Sequence, residues 1–94
     1  MVDFEWDPNK ETTNIHKHGV SFNEAATVFW DVLSMTYDDP DHSVDEDRYI
    51  TVGISDLARW LLVSHTDRGD AIRIISARPL TRAERRYYER ERQP

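Results

Sequence analysis

The sequence predicts a single α+β domain over residues 1–94, with two helices, then an antiparallel sheet of about four strands, then a final helix. Three observations lead to this prediction. Apolar residues recur with a helical period between residues 20 and 29. From residue 33 the period changes to two, which is typical of strands. After the last strand, Thr81 and Glu84 have the spacing of a capping box and therefore mark a new helix start.

Length and composition favour a small globular protein with one core. Ninety-four residues are too few for two cores, and ten aromatic side chains disfavour disorder. The absence of cysteine excludes a disulfide scaffold, a thiolate zinc site and a cysteine nucleophile. The sequence has no secretion signal and no apolar run long enough to span a membrane, so we expect a cytoplasmic protein.

The first predicted helix covers residues 8–18, and a short strand at residues 4–6 is an open possibility before it. Asp7 and Pro8 supply the N-cap and the first helical residue, and Gly19 suits the left-handed position at the end. With Ile15 as its only strongly apolar residue, the helix is expected to lie on the surface. Its exposed polar side is expected to carry Lys10, Asn14, Lys17 and His18.

The second predicted helix starts after Ser21. Ser21 and Glu24 have capping-box spacing, and Val20 can contact the first turn as a hydrophobic staple. Four apolar residues follow at helical spacing: Phe22, Ala25, Ala26 and Phe29. This face is expected to enter the core.

Four strands are predicted after the second helix, at residues 33–37, 48–55, 60–66 and 71–78. Because the connections are short, neighbouring strands should pair antiparallel. Residues 38–47 contain six acids and are predicted to form a solvated loop. Its aspartates Asp39, Asp41 and Asp45 are possible oxygen ligands, but the glycine and glutamate spacing of a calcium loop is missing, so no metal site and no cofactor are assigned.

Charge is distributed unevenly along the chain. Residues 1–47 hold two basic and twelve acidic side chains, whereas residues 48–94 hold ten basic and six acidic ones. All ten basic side chains of the second half are arginines, whose planar guanidinium can bind a phosphate through two hydrogen bonds. A phosphodiester partner is therefore indicated, with simple surface ion pairing as the alternative.

Arginines concentrate around the last strand and the final helix, predicted at residues 82–92. Arg73 interrupts an isoleucine-rich strand, and Arg78 ends it. Cations in the first turn of a helix oppose its dipole, so stability does not require them there. Three arginines nevertheless lie in or just after the first turn of this helix: Arg82, Arg85 and Arg86. Together with the helix N-terminus, these arginines indicate an anion site.

His65 lies at the end of the third predicted strand and has the right side chain for an acid or base at neutral pH. If the hairpin pairs residues whose numbers sum to 138, His65 faces Arg73. If the sum is 137, His65 faces Ile72. The sequence does not choose between these registers, and a histidine hydrogen-bonded for structural reasons remains the alternative.

Several spaced segments, covering nearly the whole chain, resemble the BrnT toxins of bacterial type II toxin–antitoxin modules. They are Trp6-Asp7-Pro8-Asn9-Lys10, Lys17-His18-Gly19-Val20-Ser21-Phe22, Asp38-Asp39-Pro40-Asp41-His42-Ser43, His65-Thr66 with Arg68-Gly69, Ile72 to Arg78, and Glu84-Arg85-Arg86 with Tyr88. Asn23 and the tail from Glu89 to Arg92 depart from the family pattern. The resemblance implies a RelE-like fold, a ribonuclease that stops translation, and a BrnA-like antitoxin with a ribbon-helix-helix DNA-binding domain. It also suggests a 2:2 complex that binds operator DNA through the antitoxin.

The resulting hypothesis is metal-independent RNA cleavage, in which the 2′-hydroxyl attacks the adjacent phosphate and leaves a cyclic phosphate. The expected catalytic residues are His65, Arg73, Arg78, Glu84 and Tyr88. The expected substrate-binding residues are Arg68, Arg82 and Arg85. Two alternatives remain: a non-catalytic nucleic-acid-binding module that uses the same arginines, and a protein-interaction module whose acidic loop binds a basic partner.

Overall fold

A mixed sheet with helices on both faces forms the body of the protein, in a computed structural model that describes residues 2–39, 41 and 47–92. The described elements are β1 (Asp3–Glu5), α1 (Pro8–His18), α2 (Phe22–Thr27), a 3₁₀ turn (Val28–Trp30), β2 (Met35–Asp38), β3 (Arg48–Ile54), β4 (Trp60–Arg68), β5 (Ala71–Pro79) and α3 (Arg82–Glu91). The strand order within this part of the chain is β1-β5-β4-β3-β2. The α+β prediction is confirmed, and the short N-terminal strand is present and runs parallel to β5.

The predicted bounds of α1 are confirmed, but one residue of its expected polar side is not exposed. Asp7 accepts a hydrogen bond from the backbone of Asn9, and Gly19 ends the helix at φ 69°. The prediction that Asn14 is exposed is wrong, because its side chain is only 5% exposed. It donates to the carbonyls of Val20 and Ala77 at 2.9 Å and accepts from the amide of Ala77 at 3.1 Å.

Asn14 is buried because the outer edge of β5 needs a partner beyond the end of β1. β1 covers only residues 71–73 of β5. Further along, the carboxamide of Asn14 satisfies both backbone groups of Ala77, as a neighbouring strand would. This contact fixes α1 against β5.

Ser21 caps α2 as predicted, but the capping box is only half formed. The hydroxyl of Ser21 accepts from the amide of Glu24 at 3.1 Å. The carboxylate of Glu24 does not return to the cap; it accepts from Arg59 and from the hydroxyl of Ser55. These hydrogen bonds connect α2 to the turn between β3 and β4.

The hydrophobic core lies between α2, its 3₁₀ turn and one face of the sheet, called here the core face. The residues at its centre are less than 10% exposed: Val20, Phe22, Ala25, Ala26, Val28, Leu61, Val63, Ile74 and Ala77. Phe4, Trp6 and Phe29 border this cluster. The helical face predicted for the second helix therefore does enter the core.

Both predicted registers of the β4–β5 hairpin are wrong. Ser64 pairs with Ser76, but His65 pairs with Ile74, so Ile75 is an extra residue in β5 and forms a β-bulge. His65 consequently faces Ile74 rather than Arg73 or Ile72. A bulge changes the register partway along a hairpin, and no single sum of residue numbers describes such a pairing.

The predicted acidic loop only partly coincides with described residues. Residues 40 and 42–46, and with them Asp45, lie outside the described part. Asp38 belongs to β2 rather than to the loop. Asp39 is buried, and its amide donates to the carbonyl of Arg48 at 2.9 Å. Separately, none of the described helices is long and apolar enough to cross a membrane.

Candidate functional site

The sheet face opposite the core carries four arginines on its described strands and is called here the arginine face. They are Arg48, Arg68, Arg73 and Arg78. Arg48 and Arg73 both pair with Thr66, and Arg68 follows Thr66 by two residues along β4. Arg78 pairs with Leu62, four residues before Thr66. Since every second residue of a strand points to the same side, all four share one face.

The β-bulge at Ile75 is the reason that Arg73 and Arg78 lie on the same face. Residues five apart in a regular strand point to opposite faces. The extra residue shifts this alternation by one, so that Arg73 and Arg78 are both on the arginine face. No pattern in the sequence indicates the bulge.

Arg78 is held by Glu84 at the start of α3. Its two terminal nitrogens donate to the two carboxylate oxygens of Glu84, each at 2.8 Å. The capping box at Thr81 is complete, and the amide of Thr81 also donates to Oε1 of Glu84 at 2.8 Å. Hydrogen bonding from Arg78 is the main cause that lowers the pKa of Glu84 to about 2. Glu84 is therefore ionised at neutral pH and weakly basic while this pair is intact.

Tyr88 lies one helical turn after Glu84, on the side of α3 that faces the sheet. Its ring centroid is 5.9 Å from that of Tyr37 on β2. Burial is the main cause that raises the pKa of Tyr88 above its usual value. Its hydroxyl therefore carries a proton at neutral pH, next to the Arg78–Glu84 pair.

The remaining predicted arginines form at most one ion pair each with described residues. Arg73 contacts Glu5 at 3.4 Å, and Arg85 contacts Glu89 at 2.7 Å on the surface of α3. Arg68 and Arg82 are exposed and have no ion pair with any residue that the structure describes. Exposed ion pairs contribute ~1 kcal/mol or less, so an incoming phosphate can compete for these guanidinium groups.

His65 lies on the core face, so the sheet separates it from Arg73 and Arg78. Its side chain is 4% exposed, and Nε2 is 2.8 Å from the hydroxyl of Thr51. The ring packs against Phe29 with a centroid distance of 4.9 Å. Burial lowers the pKa of His65, which favours the neutral imidazole. This environment is that of a structural histidine, and the acid or base role expected for His65 stays a prediction.

The attachment of α3 to the body depends on a pair that sequence reasoning missed. Arg92, directly after α3, donates from its two terminal nitrogens to the two carboxylate oxygens of Asp31, each at 2.7 Å. Its guanidinium also lies 5.3 Å from the ring centre of Trp60. Hydrogen bonding from Arg92 is the main cause that lowers the pKa of Asp31 to about 2. The pair thereby helps to position Glu84 and Tyr88, which lie on the same helix.

Comparison with known proteins supports both the family and the fold. A family described as "Ribonuclease toxin, BrnT, of type II toxin-antitoxin system" matches residues 6–84, which include Arg68, Arg73, Arg78 and Glu84 but not Arg85 or Tyr88. Among solved structures, the 1.1 Å crystal structure of the Brucella abortus ribonuclease toxin BrnT is similar, with a TM-score of 0.69 and 22% sequence identity. The similarity covers 87% of this chain and 100% of that one. A search among curated proteins finds no match.

Proposed function

The chain belongs to the BrnT family of ribonuclease toxins of type II toxin–antitoxin systems, and from this premise we propose that it cleaves RNA on the arginine face without a metal ion. One observation carries the proposal. A guanidinium, a carboxylate and a protonated phenol, from Arg78, Glu84 and Tyr88, lie near one another where α3 faces the arginine-rich side of the sheet.

RNA cleavage by the neighbouring 2′-hydroxyl requires a cation, a base and an acid. Arg78 supplies the cation. A phosphodiester offers two acceptor oxygens, as does the carboxylate of Glu84, which is hydrogen-bonded to the guanidinium of Arg78 in the structure. Binding of the substrate phosphate to both terminal nitrogens therefore displaces the carboxylate of Glu84 from Arg78, and Arg73 on the same face offsets further negative charge.

Glu84 becomes a better base when the phosphate takes its place at Arg78. The low pKa of Glu84 is due first to Arg78, so losing these hydrogen bonds raises it. Oε1 stays fixed by the amide of Thr81, whereas Oε2, which among the described residues accepts only from Arg78, becomes free. Oε2 then takes the proton from the 2′-hydroxyl as the oxygen attacks phosphorus.

Tyr88 acts as the acid. Its hydroxyl gives a proton to the 5′-oxygen as the bond between phosphorus and that oxygen breaks. The products are a 2′,3′-cyclic phosphate and a 5′-hydroxyl, and water restores the protons on both side chains. Glu84 and Tyr88 are four residues apart on α3, which places base and acid on one side of the helix. Arg68, Arg82 and Arg85 bind flanking phosphates.

In the cell, this activity would inhibit translation by destroying message. A BrnA-like antitoxin with a ribbon-helix-helix domain would neutralise the protein, in a 2:2 complex that binds operator DNA through the antitoxin. The support for both statements is the family membership.

The test is single-turnover cleavage of a single-stranded RNA in EDTA. Glu84→Gln keeps a side chain that can complete the capping box, and Tyr88→Phe removes only a hydroxyl. Each is expected to reduce the rate ~10²-fold or more, because positioned proton transfer contributes ~10²- to 10⁴-fold. Glu91→Gln, the same exchange at an exposed position in the last turn of α3 and outside the proposed site, is the control and should cleave like the unmodified protein.

Two results would contradict the proposal. If the protein retards RNA but leaves it intact, it is a nucleic-acid-binding module. If both variants cleave at the unmodified rate, Glu84 and Tyr88 are not the base and acid. Fragments that end in a cyclic phosphate would support the chemistry written above.

A further inference from the structure

Both lysines of the chain lie in one groove on the opposite side of β5 from β4. Lys10 and Lys17 are the only basic residues among residues 1–47, which hold twelve acids. α1 and β5 enclose a groove of about 420 Å³, and both lysines line it. None of the described residues that line this groove carries a carboxylate. The first half of the chain thus places both of its lysines in one concave surface.

The groove follows from two features of the fold. Asn14 fixes α1 against β5 at Ala77, just beyond the end of β1. The bulge residue Ile75 lies in the groove wall opposite the helix. Lys10 and Lys17 are two helical turns apart, about 10 Å along α1 at 1.5 Å per residue.

Lys10 and Lys17 are available to a ligand. Both are exposed, and neither has a carboxylate partner among the residues that the structure describes. Asn9 and Thr13 also line the groove from α1 and add polar groups to its wall. Positive charges with uncharged hydrogen-bonding neighbours suit a sugar–phosphate backbone.

The groove adjoins the arginine face through Ser76. Ser76 lines the groove, and in the sheet it pairs with Ser64, between the rows that contain Arg73 and Arg78. An RNA strand that places one phosphate at Arg78 can therefore continue around the edge of β5 into the groove.

We propose that this groove binds the backbone of the RNA strand next to the cleaved linkage, with Lys10 and Lys17 each contacting a phosphate. The identity of the ligand rests on the proposed ribonuclease function. RNA is favoured over an acidic peptide because the groove meets the arginine face, and a strand that passes between them carries a phosphate at each nucleotide.

The experiment measures binding of a 2′-O-methylated single-stranded RNA, which cannot undergo 2′-hydroxyl attack, between 50 and 200 mM salt. Two single-strand phosphate contacts contribute about −1.4 to the slope of log K against log salt. When salt rises from 50 to 200 mM, the RNA affinity of the unmodified protein should therefore fall by a factor roughly sevenfold larger than that of Lys10→Gln/Lys17→Gln. Thr12→Glu/His16→Glu changes the formal charge by the same amount on α1 outside the groove and should keep the unmodified slope.

The outcomes separate this inference from the proposed function. If unmethylated RNA is cleaved but the lysine variant keeps the full salt slope, the groove does not bind RNA and the ribonuclease proposal stands. If RNA is bound with a lysine-dependent slope but never cleaved, the groove stands and the ribonuclease proposal fails. A lysine variant that keeps its RNA affinity but no longer binds a polyglutamate peptide would assign the groove to an acidic partner instead. Absence of RNA binding by the unmodified protein would overturn both.

Discussion

Replacing Asp31 by asparagine is expected to weaken the attachment of α3 to the body and to lower the free energy of unfolding. The structure gives the size of this loss. The Asp31 carboxylate accepts two hydrogen bonds from Arg92 at 2.7 Å and further ones from the amides of Leu33 and Ile54 at 3.0 and 2.8 Å. Asparagine keeps one acceptor oxygen but has an NH₂ group in place of the other. That NH₂ group would face a backbone amide and a nitrogen of Arg92, both of which are donors, and could accept from neither. The Arg92 clamp should be lost.

The pKa of Asp31 gives the magnitude. The pKa falls from 3.8 to about 2 on folding, and each unit corresponds to ~1.36 kcal/mol, so the ionised carboxylate stabilises the fold by about 2 kcal/mol. Its side chain is 8% exposed, so little solvent screening applies. Breaking a fully buried pair costs ~3–5 kcal/mol. Arg92 is 18% exposed and can turn to solvent, so we expect the smaller loss that the pKa of Asp31 gives.

The sign of the pH dependence follows from the lowered pKa. The contribution is fully present above the unfolded pKa of about 3.8 and is lost as pH falls through about 2. Urea denaturation at pH 7 should give an unfolding free energy about 2 kcal/mol lower for Asp31→Asn, and the difference should narrow between pH 4 and pH 2. Asp56→Asn, at an exposed position, is the control and should lie within ~0.5 kcal/mol of the unmodified protein.

Cleavage assays extend this prediction to function. Because Arg92 positions the helix that carries Glu84 and Tyr88, Asp31→Asn should also cleave RNA more slowly at temperatures where it remains folded. Equal unfolding free energies of Asp31→Asn and the unmodified protein at pH 7 would refute the reasoning. So would a difference that stays constant down to pH 2.

Three further changes test the fold around the site by urea denaturation. Asn14→Ala leaves the amide and carbonyl of Ala77 unpaired and should cost roughly 2–4 kcal/mol. His65→Ala should lower stability, and an unchanged cleavage rate of the folded variant would exclude the acid or base role expected for His65. Because burial lowers the pKa of His65, protonation of this side chain favours the unfolded state. As pH falls below about 6.5, the unfolding free energy of the unmodified protein should therefore drop by up to ~1.4 kcal/mol per pH unit, and His65→Ala should lack this contribution. Gly53→Ala would place a Cβ 3.0 Å from Oδ2 of Asp31 and should cost ~1–3 kcal/mol.

Local signals allowed most of the element boundaries to be predicted from the sequence. The start and end of α1 depend on Asp7, Pro8 and Gly19, which act within one turn of the helix. The capping box of α3 likewise needs only Thr81 and Glu84. Such interactions join residues two to four positions apart, and their geometry is the same in every helix.

Contacts between distant residues could not be predicted in this way. The bonds from Asn14 to Ala77 and from Arg92 to Asp31 join residues 63 and 61 positions apart. Glu24 illustrates the competition between the two levels. Its spacing from Ser21 favours a capping box, but the guanidinium of Arg59 stabilises its carboxylate more than the cap amide does, so the distant contact prevails.

The β-bulge decides which candidate residues can act together. In a regular hairpin whose pairs sum to 138, His65 and Arg73 would share a face, and Arg78, five residues beyond Arg73, would lie on the other. No regular strand can bring all three side chains together. The extra residue at Ile75 resolves this conflict in favour of the two arginines and leaves His65 in the core. Deleting Ile75 should remove the bulge but leave Arg73 and Arg78 four residues apart in a regular strand, and therefore still on one face, so a folded deletion variant should keep the phosphate-binding pair.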